Sequence, residues 1–473
     1  MSAGVDFGTY RSVVSRLQNG RPHELPLGAL QGEWDVPSLV FLPSEGGGAL
    51  FGSAARIRTE KLGPQPDSGV SIANLKLDLA DPAKTWSANG ASYTVDQLYQ
   101  GMAAHLLELC RDRSPDFRSE GACFTLPCFI GLARQEQLRK LLVRAGWKAP
   151  RFLQEPAAAL CGVWSGQALE SGTYLVVDVG HGSCDLGLAQ VEGAGDSLEI
   201  QELFFVGNTW VSGEEIDKAF FQGLTENHPE FVPTDRCRFK RVRGEIETQL
   251  RRAKEGLSFQ DRADLFVASF PNSDGFLELD VSRDEFESSL EAAGLLSMLA
   301  QVARFALSRL GQQAGPVRVL FTGRSSLPPI LRRVVEEALP GCLFVPPFDR
   351  PELAKLAVAH GAALYAAGEI GVRYQRAAAR ALHLAGHDPS KPLVDIGSAL
   401  PLTRQVSVDV QGGRQDLVVL EQAAGGDPSE LCRVRMPDRV RGAGPTSTFQ
   451  VALKVDVSED GCPTVQVISS RAI

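Results

Sequence analysis

The chain has 473 residues, enough for roughly two to four domains, and its hydrophobic (44%) and charged (22%) fractions are near globular averages. That composition argues against wholesale disorder and against a membrane-embedded body. With 48 Lys plus Arg against 57 Asp plus Glu, the net charge of −9 disfavours phosphate-backbone binding, so nucleic acid is not an expected partner.

The N-terminus MSAGVDFGTY lacks a basic n-region and an apolar h-region, its second residue is serine, and no apolar run approaches ~18 residues. A cytoplasmic protein without a membrane partner is expected. The nine cysteines are scattered, with Cys123 and Cys128 the closest pair and no zinc-type spacing, which fits buried free thiols in a reducing compartment.

In chain order, the first clear element is GVDFGTYRSVVSRLQNG, a short apolar strand that turns through Asp6, Phe7, Gly8 and Thr9 into a second strand ended by Asn19-Gly20. A helical pattern covers Val95 to Arg113, a strand covers 122–130, and an amphipathic helix covers 133–145. The strand RFLQEP and a helix from Ala157 follow. At Thr173 the hairpin pattern returns: YLVVDVG reaches Asp178, turns through Gly180, His181, Gly182 and Ser183, and continues as CDLGLAQVEG. An aspartate at a strand end before a glycine turn, twice in one chain, suggests two related half-domains facing a shared cleft.

Helical patterns at 213–227 and 238–258, a β-like patch at 264–281 and helices at 283–311 come next. The strand VRVLFTG then leads through Arg324, Ser325 and Ser326 into a helix from Pro329, and a last helix spans 352–367. Alternating strands and helices predict an α/β class with helices on the sheet faces. From Val406 the chain alternates apolar and polar residues, with Gly412-Gly413 and Asp460-Gly461 as turns, which predicts a small β-domain. The expected division is an α/β part at 1–370, a linker at 371–391 and a β-domain at 392–473.

Gly-x-x-x-x-Gly-Lys, His-Glu-x-x-His and Gly-x-Ser-x-Gly motifs are absent. Gly180-His181-Gly182 superficially resembles a dinucleotide fingerprint, but Asp185 stands where its third glycine belongs and strand follows instead of helix. The two hairpins can serve phosphate chemistry differently. Turn N–H groups of Gly8, Thr9, Gly180 and Gly182 can converge on phosphate oxygens, while Asp6 and Asp178 hold a hydrated Mg²⁺ or orient water.

Four blocks, VDFGTYRS, FTLPCFIGLARQEQLRKLLVRAGWKAPRFLQEPAAAL, LVVDVGHGSCDLGLA, and VLFTGRSSLPPILRRVVEEAL with LAVAHGAALYAAG, follow one another over about residues 3–368. With the smaller matches TWVSGEEIDKAFF and RRAKEGLS, this order resembles the sugar-kinase, actin and heat-shock ATPase superfamily, and within it the DnaK-type 70-kDa chaperones. The resemblance implies a two-lobed actin-like fold with duplicated α/β subdomains and a C-terminal β-sandwich. It also implies ATP or ADP with Mg²⁺ in the interlobe cleft, slow hydrolysis, co-chaperone-like regulators, and a protein client on the β-domain.

Carried over, Asp6 and Asp178 flank magnesium and the nucleophilic water, Thr9 holds phosphate, and Lys76 stabilises the transferring phosphoryl group. Glu155 orients water and metal, Ser183 replaces a threonine, and Asp185 braces the second hairpin. Gly213, Lys254, Ser258, Gly323, Arg324 and Ser325 line the nucleoside side. The chain departs from the family at Tyr10 and His181 beside phosphate, and at Arg251, Glu255, Arg324 and Leu327 near adenine. Lost hydrolysis, leaving a scaffold that docks a partner, is the alternative. PLVDIGSAL is too short for the opening strands of the family's β-sandwich, and no helical lid follows Ile473, so a truncated β-domain with an open edge is expected.

Overall fold

The computed structural model describes all residues except 1–2, 31, 63–68, 167–168, 195–196, 232–235, 269, 273–274, 311–314, 349–350, 369–370, 376–379, 386–392, 395–401, 412, 424–428, 445, 458–462 and 473. The expected turns at Gly412 and Asp460-Gly461 fall on these.

The two hairpins become the centres of two sheets with one topology. In the first, the described strands run Arg151–Gln154, Cys123–Leu126, Ala3–Phe7, Arg11–Gln18 and Arg21–Glu24, with Asp35–Pro37 also on Arg11–Gln18. In the second they run Leu343–Phe344, Val317–Thr322, Gly172–Val179, Cys184–Ala194 and Ser197–Asn208. Each central strand, Ala3–Phe7 or Gly172–Val179, pairs parallel on one side and antiparallel to its hairpin partner on the other. The outer pairings match as well, parallel beyond the crossover and antiparallel beyond the hairpin. The duplication expected from the two aspartate turns is therefore present as a repeated sheet.

Two helices lie between the sheets and exchange lobes. The helix Glu155–Gly166 leaves the first sheet and helps form a core with Tyr174, Val176 and Ile200 of the second. The helix Pro351–Ala367 follows the second sheet and packs on the first, where Leu356 and Ala359 meet Val13. The two touch along alanine-rich faces, and a β-carbon at Gly162 or Gly361 would collide with the carbonyl of Ala357 or Ala158 respectively. Large apolar clusters fill each lobe, one around Trp147, Tyr99 and Phe124, the other around Phe220, Phe231 and Phe286.

The helix predicted at 95–113 has those limits, and its start is fixed because Thr94 accepts from the Gln97 amide while the Gln97 side chain accepts from the Thr94 amide, a capping box. The β-like patch is the hairpin Arg262–Val267 and Leu277–Ser282, and the stretch after it splits at Gly294 (φ +74°) into Arg283–Ala292 and Leu295–Ser308.

Residues 371–391, read from composition as a linker, contain two strands. Gly371–Gln375 pairs parallel with Ser197–Gln201 at the edge of the second sheet, and Arg380–Leu384 pairs antiparallel with Asp416–Ala423 in the C-terminal part. Short strands flanked by small and polar residues carry little periodicity, and sheet edges stabilise them. Arg380–Leu384 supplies an opening strand that the sequence reading could not fit after Pro392. Its outer side is bridged at Leu382, whose amide donates to Val394 O at 2.9 Å. The C-terminal part is a β-sandwich: Arg380–Leu384, Asp416–Ala423 and Ser429–Arg435 face Leu402–Gln411, Thr448–Val457 and Pro463–Ala472 across a core of Leu382, Leu417, Val419, Val451 and Leu453.

Candidate functional site

The two central strands end at Asp6 and Asp178 where the lobes meet. Register sets Asp178 beside Asp185 on one side and Thr322 on the other, and Asp6 beside Val13. Thr125 Oγ1 donates to Asp6 Oδ1 at 3.4 Å. Lys76, on the short helix Leu75–Asp78, forms an ion pair with Glu155, which starts its helix directly after the strand Arg151–Gln154. Lys76, Glu155, Asp178 and Asp185 are buried and Asp6 is half-buried.

These five groups form one electrostatic cluster. Burial pushes the Asp178 carboxyl well above the usual carboxylate range, and Glu155, Asp185 and Asp6 add to it while Lys76 opposes. Asp6 and Glu155 are raised, chiefly by burial, and Asp185 is raised although the Cys128 amide donates to its Oδ1 at 2.6 Å and Ser183 also donates to it. Lys76 is held above its ordinary value because Glu155, Asp6 and Asp185 outweigh burial. Four acids thus share one lysine, and Asp185 Oδ2 is buried with no hydrogen-bond partner. Such a donor set fits a hydrated divalent cation. Among the described residues no group of three or more His, Cys, Asp or Glu side chains is arranged to hold a metal directly, so water must complete any coordination.

At the hairpin tips the lobes touch. Gly182 lies against Thr9, and a β-carbon there would come within 2.6 Å of Thr9 Oγ1. The Tyr10 ring meets the His181 ring at 5.0 Å between centroids, and the Arg251 guanidinium sits 4.5 Å over Tyr10. Burial, with Lys254, Arg251 and Lys218 nearby, pushes His181 down to about 3, so its imidazole is neutral. Gly180 N donates to Ser183 O at 2.9 Å, closing the turn. The Gly180 and His181 carbonyls accept from Gly213 N at 2.9 Å and Glu214 N at 2.7 Å, so the hairpin satisfies the first turn of helix Gly213–Asn227.

The remaining expected residues form a second group. Lys254 Nζ pairs with Asp217 at 2.5 Å and donates to Gly213 O at 3.3 Å, while Arg251 reaches the same Asp217 at 3.3 Å. Ser325 packs against Gly213. Gly323 adopts φ +81°, and any side chain there would strike the Asp178 carboxylate. Arg324 pairs with Glu255 at 2.8 Å. Ser258, just past the end of helix Arg236–Leu257, donates to Lys254 O at 3.1 Å. Gly8 turns the first hairpin tightly over the Arg11 carbonyl.

Sequence reasoning missed a charged chain beside Asp6. Glu33 and Asp35 both hold Arg11, at 3.1 and 2.5 Å, and Asp35 also pairs with Lys355 at 2.5 Å. Lys355 Nζ lies 4.8 Å over the Trp34 ring and contributes to the field at Asp6. One lysine within the alanine-rich run PELAKLAVAHGAALYAA was the available signal. Asn74, which donates to Glu214 Oε2 at 3.0 Å, was also missed and bridges the lobes.

The Hsp70 protein family model matches residues 79–372, more than half of the chain. Chaperone protein DnaK of Metamycoplasma hominis is 25% identical over 344 residues, covering 71% of this chain and 54% of the relative. The Chaperone protein HscA homolog of Bordetella pertussis is 28% identical over 359 residues, covering 71% and 53%. Chaperone protein dnaK1 of Prochlorococcus marinus is 24% identical over 365 residues, covering 71% and 52%. The chain spans about half the length of the curated relatives it matches. With the repeated sheets, the exchanged helices and the paired aspartate hairpins, these matches show that the chain belongs to the Hsp70 family.

Proposed function

We propose that this protein binds Mg-ATP and Mg-ADP between its lobes, hydrolyses ATP slowly, and couples the nucleotide to a C-terminal β-sandwich that takes a protein partner in the cytoplasm. The observation that carries the reading is the convergence of Asp6 and Asp178, from two equivalent hairpins, on the buried Lys76 and Glu155 pair. Asp6 and Asp178 would hold magnesium through water, and it would supply charge neutralisation to the phosphate oxygens.

The chain's own groups do the rest. Lys76, with its charge stabilised by the surrounding acids, faces the transferring phosphoryl oxygens. The Asp178 carboxylate orients the attacking water and holds its proton, and Glu155 keeps Lys76 in place. Ser183 and the Cys128 amide fix the Asp185 carboxylate, which stiffens the second hairpin. Thr9, buried against Gly182, offers its hydroxyl to phosphate.

A scaffold role without hydrolysis is the second reading. It is favoured by the Arg324–Glu255 pair and the Tyr10–His181 contact, which engage expected nucleotide contacts with one another. Calorimetric titration with Mg-ATP and Mg-ADP, followed by single-turnover hydrolysis, tests both. Binding with turnover that depends on Asp178 supports the first reading. Binding without turnover supports the second, and no binding removes nucleotide from both. For the partner, a chain ending at 375 should lose the proteins that the full chain retains in pulldowns; equal retention would assign docking to the lobes.

A further inference from the structure

Among the sequence departures, Tyr10 and His181 are the pair that the fold brings into contact across the lobes. Tyr10 belongs to the first hairpin and is 40% exposed, so its ring stands at the mouth of the cleft. His181 occupies the tip of the second hairpin, with ring centroids 5.0 Å apart at 46°. Arg251, from helix Arg236–Leu257, covers the Tyr10 ring at 4.5 Å, and Arg11 approaches it at 5.6 Å. Directly beneath, Thr9 fills the space above Gly182. The tips that carry the phosphate-facing amides are therefore joined by an aromatic contact and a cation–π contact made by the chain itself.

We infer that Tyr10 and His181 form a gate over the phosphate-facing hairpin tips, opened when a phosphate-bearing ligand draws Arg251 away from the Tyr10 ring. The inference rests on the reading of the cleft as a nucleotide site. The gate's location follows from the fold: one ring is on each lobe, and the clasping guanidinium is on a helix of the second. Arg251 and Lys254 already converge on Asp217 beside His181, so an entering anion meets two cations at the mouth before it reaches the acids below. The neutral imidazole lets His181 lie among these cations without repelling them.

A ligand that binds only the open form loses apparent affinity in proportion to the closed fraction. One cation–π contact and one aromatic contact together correspond to roughly a ten- to hundredfold penalty. Tyr10→Thr and Arg251→Met each break the gate, and Arg251→Met keeps the helix and leaves both hairpins unchanged.

Two measurements test the inference. In ligand-free protein, amide hydrogen exchange over residues 7–12 and 179–184 should accelerate together in both variants. In calorimetry, Mg-ADP should bind Tyr10→Thr roughly ten- to hundredfold more tightly than the unmodified chain. Unchanged exchange in both variants would overturn the gate. So would weaker Mg-ADP binding by Tyr10→Thr, because it would make Tyr10 a direct ligand contact. If exchange accelerates but no form binds Mg-ADP, the nucleotide reading fails while the gate stands as an interlobe latch.

Discussion

Replacing Asp178 by asparagine should stabilise the protein while removing the proposed hydrolysis. Asp178 is 6% exposed and stands cross-strand from Asp185, whose Oδ2 has no hydrogen-bond partner. Directly paired residues bring their β-carbons to about 4.5–5.5 Å, so the amide of the introduced asparagine can donate to that oxygen. The substitution is isosteric, removes one of four clustered acids, and satisfies a buried acceptor. Each pKa unit of upward shift corresponds to about 1.4 kcal/mol against the ionised form. Relaxation and protonation limit the gain, so roughly 1–3 kcal/mol is expected at pH 8 without Mg²⁺, raising the apparent melting midpoint by about 1–4 °C for a chain of this length.

The sign of the pH dependence is fixed by the upward shift. The folded state holds the Asp178 proton more tightly than the unfolded chain, so stability from this group is present at low pH and is lost as pH rises through the folded pKa. The asparagine gain should therefore shrink toward zero near pH 4 and be fullest at pH 8. Single-turnover hydrolysis should fall about 100-fold or more. Thermal melts at both pH values, with hydrolysis measured in parallel, check the argument. A lower midpoint at pH 8, an equal gain at pH 4, or unchanged hydrolysis would refute it.

Lys76→Met should cost about 3–5 kcal/mol by leaving Glu155 buried and unpaired, and adding Glu155→Gln should restore most of it in urea unfolding. Gly162→Ala drives a β-carbon into the Ala357 carbonyl and should cost roughly 2–3 kcal/mol, whereas Gly256→Ala, with its nearest atom at 3.6 Å, should change the urea midpoint little. His181 is depressed to about 3, so its contribution is complete above pH ~6.5 and is lost as pH falls. The unmodified chain should therefore lose stability more steeply than His181→Asn between pH 6.5 and 4, by up to about 1.4 kcal/mol per pH unit, as read from denaturant midpoints at each pH.

Local chemistry in the sequence determined much of this protein. The aspartate turns at Asp6 and Asp178 each follow an apolar strand and precede glycine, which needs no distant partner to be recognised. Thr94 and Gln97 cap their helix within one turn, so its start was legible at single-residue level. The motif order implied the two lobes, and the family resemblance alone pointed to Lys76 and Glu155, since Lys76 stands on a helix of four residues that carries no periodicity of its own. Three things depended on tertiary structure. Gly371–Gln375 and Arg380–Leu384 become strands only because a sheet edge lies beside each, and no local pattern encodes that edge. Lys355 faces Asp35 across 320 positions of sequence, and its charge reaches Asp6 only because the helix Pro351–Ala367 packs on the opposite lobe. Tyr10, His181 and Arg251 looked like three separate departures from a motif. They meet because the two lobes face each other at the hairpin tips, and a ring contact between residues so distant in sequence depends on how the two sheets meet.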